Sequence, residues 1–181
     1  MRLTPVEKPP SLLGRLLDRA VRRALGRSIT PSKVVHNRVP AAWRIMLAIQ
    51  LYDQFGAKLP QDLRLLVTTR IAMLNGCAFC VDIKRATAIR ARLGTVRFDA
   101  LADWRGSDGF APRERAALAF VEEATGNKQV SDETFGELRR HFDDREIAEL
   151  VLVNAIENYH NLLNLPLEVE ADGLEALARG A

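Results

Sequence analysis

The residues most able to do chemistry are the two cysteines of this 181-residue chain, Cys77 and Cys80, in the segment LNGCAFCVDIKRATAIRARLG. A pair at this spacing can form a redox-active dithiol, contribute to a metal site, or be two buried small side chains. Structural zinc requires four ligands, whereas the chain has three single, scattered histidines and no second cysteine pair. Haem attachment requires histidine directly after the second cysteine, where Val81 stands. The dithiol is therefore the favoured interpretation, and a buried pair remains the alternative.

The position of the pair at the start of a predicted helix supports redox chemistry. Gly76 ends one predicted helix and Cys77 opens the next, so the two thiols lie one turn apart on the same face. Exposed N–H groups at a helix N-terminus favour an anion, which lowers the pKa of a thiol and makes it a better nucleophile. A second thiol one turn away converts a sulfenic acid into a disulfide before further oxidation.

The rest of the chain reads as helices separated by short breakers, because apolar residues recur at helical spacing and strand-like alternation is missing. We therefore predict an all-α fold. The helices are expected over residues 11–26, 40–56, 59–76, 77–94, 98–104, 111–126, 131–142 and 143–164, and the tail from Pro166 is expected to be loose or weakly helical.

Composition and charge divide the protein into a basic arm and a larger body. Hydrophobic residues make up 48% and charged residues 27% of the chain, which is typical of a soluble globular protein. Residues 1–38 carry a net charge of +7, which leaves −4 for the rest of a chain whose total is +3. We expect a basic N-terminal arm with an amphipathic helix (1–38), a helical domain (39–167) and a C-terminal tail (168–181).

The same patterns restrict location and partners. The body has no basic stripe with interleaved aromatic residues, so nucleic acid is not an expected partner. The arginine-rich helix of the arm is expected to pack on the body or across an oligomer interface, and contact with an anionic membrane surface is the alternative. The first residues, MRLTPVEKPPS, lack the apolar core of a secretory signal, and apolar runs are too short to span a bilayer. A cytoplasmic location is therefore expected.

Three segments, LNGCAFCVD, RERAALAF and LVLVNAIENYHNLLNLPL, resemble the carboxymuconolactone decarboxylase and alkylhydroperoxidase D (AhpD) superfamily over about residues 40–167. The resemblance implies an AhpD-like helical bundle that assembles as a homotrimer or hexamer. A decarboxylase branch of this family lacks the cysteine pair, and a peroxidase branch carries it. Cys77 and Cys80 place the chain nearer the peroxidase branch. That branch reduces hydroperoxides through a disulfide cycle and is recharged by a thiol or lipoyl-type reductant. No metal, haem or flavin cofactor is implied.

The chain departs from the family pattern at two positions. The family has histidine four residues after the second cysteine and glutamate twelve residues before the first, whereas this chain has Lys84 and Leu65 there. Lys84 lies at i+4 from Cys80, where its charge favours a thiolate, and a lysine suits electrostatic activation better than proton exchange. A solvated surface lysine is an equally weighted alternative. Leu65 cannot take part in proton transfer.

Other ionisable residues are weaker candidates for the missing relay. Glu157 and His160 lie on the long apolar helix that is expected to back the cysteine helix, although a polar pair there is more often structural. Asp82 is expected to be a surface acid, because its angular position points away from the cysteines and Lys84.

The predicted function is therefore a thiol peroxidase in which Cys77 and Cys80 cycle between dithiol and disulfide. Cys80 is the favoured attacking thiol because Lys84 can reach it, and Cys77 is then the resolving thiol. Two alternatives stay open. One is a family member without catalytic activity that acts as a binding or assembly module, and the other is a cofactorless lyase that resembles the decarboxylase branch.

Overall fold

The computed structural model describes residues 1–180, and the regular structure in this range is helical without strands. The predicted all-α class is confirmed. Short turns of π or 3-10 geometry join several of the helices, at Ser32–His36, Tyr52–Gly56, Ala100–Asp103 and Leu165–Leu167. The α-helices are α1 (Leu12–Leu25), α2 (Ala42–Leu51), α3 (Gln61–Leu74), α4 (Ala78–Arg90), α5 (Val96–Asp99), α6 (Pro112–Asn127), α7 (Asp132–Arg139), α8 (Asp144–Asn164) and α9 (Leu174–Arg179).

Local signals in the sequence set the ends of these helices. The Ser11 hydroxyl accepts the Gly14 N–H at the start of α1, and Gly26 ends that helix with a positive φ of 84°. At the start of α8, Asp143 and Glu146 exchange side-chain and backbone hydrogen bonds as a capping box. These caps satisfy N–H groups that a helix cannot pair internally.

The main core forms where α3 packs between α4, α6 and α8. Helix α3 is apolar on most of its circumference, as expected for a helix with neighbours on several sides. Its side chains Leu66, Val67 and Ile71 are fully buried and pack against Leu118 and Val121 of α6, among others. The central position of α3 fixes where its C-terminal end, and therefore the cysteine segment, lies.

A second, smaller core surrounds the cysteines and includes the end of the chain. Helix α9 packs on α4, and the segment after Pro166 thus contains a packed helix. The sequence alone predicts a loose or weakly helical tail in this segment. The members of this core are Ile29, Ala72, Cys77, Phe79, Cys80, Ala86, Val169, Leu174 and Ala178.

Asp82 is buried, and the expectation that it is a surface acid is wrong. Its Oδ2 accepts the Leu174 N–H at 2.9 Å and its Oδ1 accepts the Glu175 N–H at 2.8 Å. The carboxylate of α4 therefore caps the N-terminus of α9, where Gly173 offers no side chain for that purpose. Helix α9 covers the face of α4 that carries Asp82.

The arm also packs on the body. Leu17, Val21 and Leu25 of α1 face a cavity whose opposite wall includes α3, α4 and α8. Leu12 and Leu16 of the same helix remain exposed. Within residues 1–180, no helix combines the length and apolarity needed to cross a membrane. The expected homo-oligomer and the membrane contact of the arm stay predictions.

Replacing Asp82 by asparagine is expected to destabilise the attachment of α9. Asparagine retains one acceptor and directs an NH2 group at a helix N-terminus, so we expect a loss of about 1–2 kcal/mol in the free energy of unfolding. Urea denaturation measures this loss, and limited proteolysis shows whether the C-terminal segment is released first. Asp108→Asn, at an exposed position, is the matched control. Equal stability of the two variants would contradict the capping role.

Candidate active site

The site begins at the turn that joins α3 to α4. Gly76 has φ of 70°, in the left-handed region that favours glycine. The Cys77 N–H donates to the Ala72 carbonyl at 2.9 Å and the Gly76 N–H donates to the Met73 carbonyl at 3.1 Å. These two bonds form a Schellman motif, which closes α3. Cys77 is also the N-cap of α4. The residue that completes the C-terminal motif of α3 is therefore also the residue at which α4 begins.

Cys77 and Cys80 are joined by a disulfide with their Cα atoms 5.3 Å apart. Both cysteines are deeply buried, with exposed fractions of 1% and 2%. Sulfur thus lies at the N-terminal turn of α4, where unpaired N–H groups and the helix dipole favour negative charge. The one side chain of the described residues that hydrogen-bonds to the sulfurs is Asn164, whose Nδ2 lies 3.4 Å from Cys80 Sγ.

Lys84, one turn after Cys80, forms an ion pair with Glu157 of α8. Its Nζ lies 3.0 Å from Glu157 Oε2, outside the angular range of a hydrogen bond. The other carboxylate oxygen accepts the Asn161 Nδ2–H at 2.8 Å. Glu157 is only 1% exposed, and a carboxylate so deeply buried needs a charged partner. The lysine at the family's histidine position is therefore a buried carboxylate's partner, which is more than a solvated surface charge.

His160 lies one turn beyond Glu157 on α8 and faces the same cavity. Burial, the positive charge of Lys84 and the neighbouring His36 together lower the pKa of His160 to about 3, and burial is the largest of these causes. The imidazole is consequently neutral at physiological pH. A neutral ring can donate or accept a hydrogen bond, but it does not add a second positive charge beside Lys84.

A chain of polar side chains connects this ion pair to the cysteine turn. Asn75, just before Gly76, donates from Nδ2 to the amide oxygens of Asn158 at 3.0 Å and Asn161 at 2.7 Å. Asn161 in turn donates to Glu157. The end of α3 is thereby linked to α8 through side chains as well as through packing.

Two concave regions flank the cysteines. The larger is a cavity of about 650 Å³ with mostly apolar walls, and its polar lining includes Lys84, Glu157 and His160. Leu65, at the family's glutamate position, lines the same cavity. The smaller is an open depression of about 480 Å³ between the α3–α4 turn and the C-terminal segment, and Cys77 lines it. Lys84 and Glu157 line the larger cavity, whereas neither cysteine does.

The structure thus brings Lys84, Glu157 and His160 to the lining of one cavity, and the cysteines lie outside that lining. Sequence reasoning missed Asn164, Asn75 and Asn161. A signal existed, because asparagines at positions 154, 158, 161 and 164 recur every three or four residues along α8. Among residues 1–180, no group of three or more His, Cys, Asp or Glu side chains is arranged to hold a metal ion.

His160 makes the stability of the protein sensitive to acid. Because its pKa is near 3 in the folded chain and 6.5 ordinarily, the unfolded state alone binds a proton between these values. The free energy of unfolding contributed by this group is complete above pH 6.5 and is lost as the pH falls towards 3. The slope cannot exceed about 1.4 kcal/mol per pH unit for one group.

Denaturation of the His160→Gln variant between pH 7 and 4 is therefore expected to show a shallower pH dependence than the wild type. His141→Gln, which removes a half-exposed histidine beside Glu137, is the control and is expected to follow the wild type. The slope that remains belongs partly to buried His36, whose pKa is also lowered by burial. Identical slopes in wild type and His160→Gln would contradict the lowered pKa of His160.

Comparison with known proteins identifies the family. A profile described as Carboxymuconolactone decarboxylase family matches residues 37–123. The uncharacterized protein YdfG of Bacillus subtilis is 30% identical over 126 residues, which are 68% of this chain and 85% of YdfG. Two crystal structures share the fold over nearly their whole length. One is an AhpD core, a peroxidase-related protein of Ralstonia eutropha (TM-score 0.79, 18% identity, 98% of each chain). The other is the debrominase Bmp8 (TM-score 0.84, 19% identity, 97% of this chain and 94% of that one). The chain belongs to the carboxymuconolactone decarboxylase and AhpD superfamily.

Proposed function

We propose that this protein is an AhpD-like thiol oxidoreductase that reduces a hydroperoxide through the Cys77–Cys80 pair. The observation that carries the proposal is the disulfide itself, which lies at the N-terminal turn of α4 and within hydrogen-bond distance of the Asn164 amide. A purely structural disulfide between two residues of one helical turn would close a loop too short to add much to the free energy of unfolding. A pair at a helix N-terminus has the reactivity that a redox cycle requires.

In the proposed cycle the Cys80 thiolate attacks the terminal oxygen of the hydroperoxide. The O–O bond breaks, Cys80 becomes a sulfenic acid, and the alkoxide leaves with a proton from the site to form an alcohol. The Cys77 thiol then attacks the sulfenic sulfur, so that the disulfide forms and water is released. Two electrons have passed from the dithiol to the peroxide, and a thiol reductant of the lipoyl or related dithiol class restores them.

Lys84 and Glu157 are the proposed proton relay. The relatives of the peroxidase branch use a histidine and a glutamate, the latter on α3, whereas Leu65 occupies that α3 position here. Glu157 supplies a carboxylate from α8, and it faces the same cavity as Leu65 and contacts Lys84. The Lys84–Glu157 contact supports a relay rebuilt from another helix, in which the ion pair supplies the proton that the departing alkoxide takes up.

The larger cavity supports a second candidate function. Its lining includes Lys84, Glu157 and His160 but neither cysteine, and an apolar pocket with a few convergent polar groups is typical of a small-molecule site. A cofactorless lyase acting on a small organic acid would use these three residues and would not need the sulfurs. Alkylation of the thiols separates the two functions.

The test begins with the reduced protein and an organic hydroperoxide. We expect one Cys77–Cys80 disulfide per peroxide consumed, measured by mass spectrometry and by loss of free thiols. Cys77→Ser is expected to stop disulfide formation while allowing a sulfenic acid at Cys80. The double variant Lys84→Met/Glu157→Gln removes the ion pair without leaving one charge buried alone. We expect it to lower the rate of disulfide closure by about 100-fold.

Lys58→Met, at an exposed lysine far along the chain from α4, is the control and is expected to react at the wild-type rate. A wild-type rate in the Lys84→Met/Glu157→Gln variant would contradict the relay. Peroxide that reacts no faster with the protein than with free cysteine would contradict the peroxidase and support the non-catalytic alternative. Turnover of a small acid that survives alkylation of both cysteines would support the lyase.

A further inference from the structure

The Asn164 amide lies within hydrogen-bond distance of both sulfurs, and its oxygen has no partner. It is the last residue of α8 and is 3% exposed. Its Nδ2 lies 3.4 Å from Cys80 Sγ and 3.9 Å from Cys77 Sγ. Its Oδ1 is buried and has no hydrogen-bond partner. An amide oxygen buried without a donor is unfavourable, so this arrangement requires an explanation.

The backbone holds the amide in this place. The Asn164 carbonyl accepts the Val169 N–H at 3.2 Å, across the turn Leu165–Leu167. Val169 is a member of the small core that contains the cysteines. Asn164 therefore approaches the sulfurs from a fixed helix end, and its side chain has few ways to turn to solvent.

The redox state of the cysteines decides what the amide can bind. Sulfur in a disulfide carries no proton and is a weak acceptor, so only Nδ2 gains from facing it, and Oδ1 has no donor. Reduction creates a thiolate, which is a strong charged acceptor, and a thiol, which is a donor. One amide group can bind both at once, with Nδ2 on the thiolate and Oδ1 on the thiol.

We propose that Asn164 is a catalytic residue of the dithiol cycle: it holds the Cys80 sulfur as a thiolate through Nδ2–H and accepts the Cys77 S–H through Oδ1. The closer contact, 3.4 Å, assigns the thiolate to Cys80. Lys84 is already engaged with Glu157 at 3.0 Å, so the amide is the group in direct contact with sulfur. The proposal rests on the proposed function in that it explains how the reduced form is kept reactive.

The assignment also predicts which sulfur of the disulfide the reductant attacks and which one leaves as a thiolate. Cys77 lines the open depression and Cys80 does not, so we assign the attack of a reductant thiolate to the Cys77 sulfur. A new S–S bond forms between the reductant and Cys77, and the Cys77–Cys80 bond breaks. Its electron pair leaves on Cys80 Sγ, where Asn164 receives it. The second thiol of the reductant then attacks its own sulfur in the mixed disulfide, which releases Cys77 and passes a proton to it.

Two substitutions test the role. Asn164→Asp keeps the shape but replaces the donor by an oxygen, and Asn164→Leu keeps the bulk but removes both polar atoms. Asn154→Leu is the matched control, because it removes another buried amide of α8 that bonds Thr125 and Asn158, with no sulfur contact described for it. The Cys80 thiol pKa is measured from the pH dependence of alkylation in a Cys77→Ser background. The dithiol–disulfide equilibrium is measured against glutathione with both cysteines present.

We expect both Asn164 variants to reduce the thiolate fraction of Cys80 at neutral pH by about tenfold, because each loses a charged hydrogen bond. We also expect both to shift the glutathione equilibrium towards the disulfide, about tenfold or more. Asn154→Leu is expected to leave both quantities at the wild-type value. Circular dichroism restricts the comparison to folded protein. None of these measurements needs a peroxide or turnover, so failure of the proposed function would not disturb them.

Unchanged values in both Asn164 variants would overturn the proposal. It would also be overturned if Asn164→Asp alone shifted them, since the effect would then come from the new carboxylate and not from the lost amide. Equal shifts in Asn154→Leu and Asn164→Leu would show a general loosening of α8, and this result too would overturn a direct role at sulfur.

Discussion

Gly76 allows α3 to stop and α4 to start within a few residues, and the position of both sulfurs depends on this turn. A residue with a side chain would be strained at its positive φ, and without the turn the Schellman bond from Cys77 to Ala72 could not form. Because α3 is held on several sides by other helices, its end is fixed in space. The fixed end of α3 therefore also fixes the start of α4, where both cysteines lie.

The second half of the site comes from α8, which contributes buried polar side chains. Glu157 and Asn161 bind across to Lys84 and Asn75, and Asn164 reaches the sulfurs. Partners at the end of α3 and on α4 offset much of the cost of burying these groups, although the Asn164 Oδ1 has none. The same contacts that hold α8 against the cysteine turn therefore also place a charge pair and an amide beside it.

The replacement of a histidine and a glutamate by Lys84 and Leu65 looks like the loss of a relay when the sequence is compared with the family pattern. In the folded chain Glu157 lines the same cavity as that leucine and pairs with the lysine. A carboxylate on a different helix can face the same cavity, because helices packed side by side direct side chains into the space between them. The proton relay is a proposal, whereas the Lys84–Glu157 ion pair is a feature of the structure.

The sequence by itself determined the helical class, most helix ends and the placement of the cysteine pair at the start of a helix, since these depend on periodicity, caps and residue spacing along one helix. Only the tertiary structure decided that Asp82 caps α9, that Lys84 meets Glu157, and that Asn164 touches Cys80. Each of these contacts joins residues more than 70 positions apart in the chain. The preferences that a sequence pattern reveals are local, whereas these partners are chosen by how helices pack.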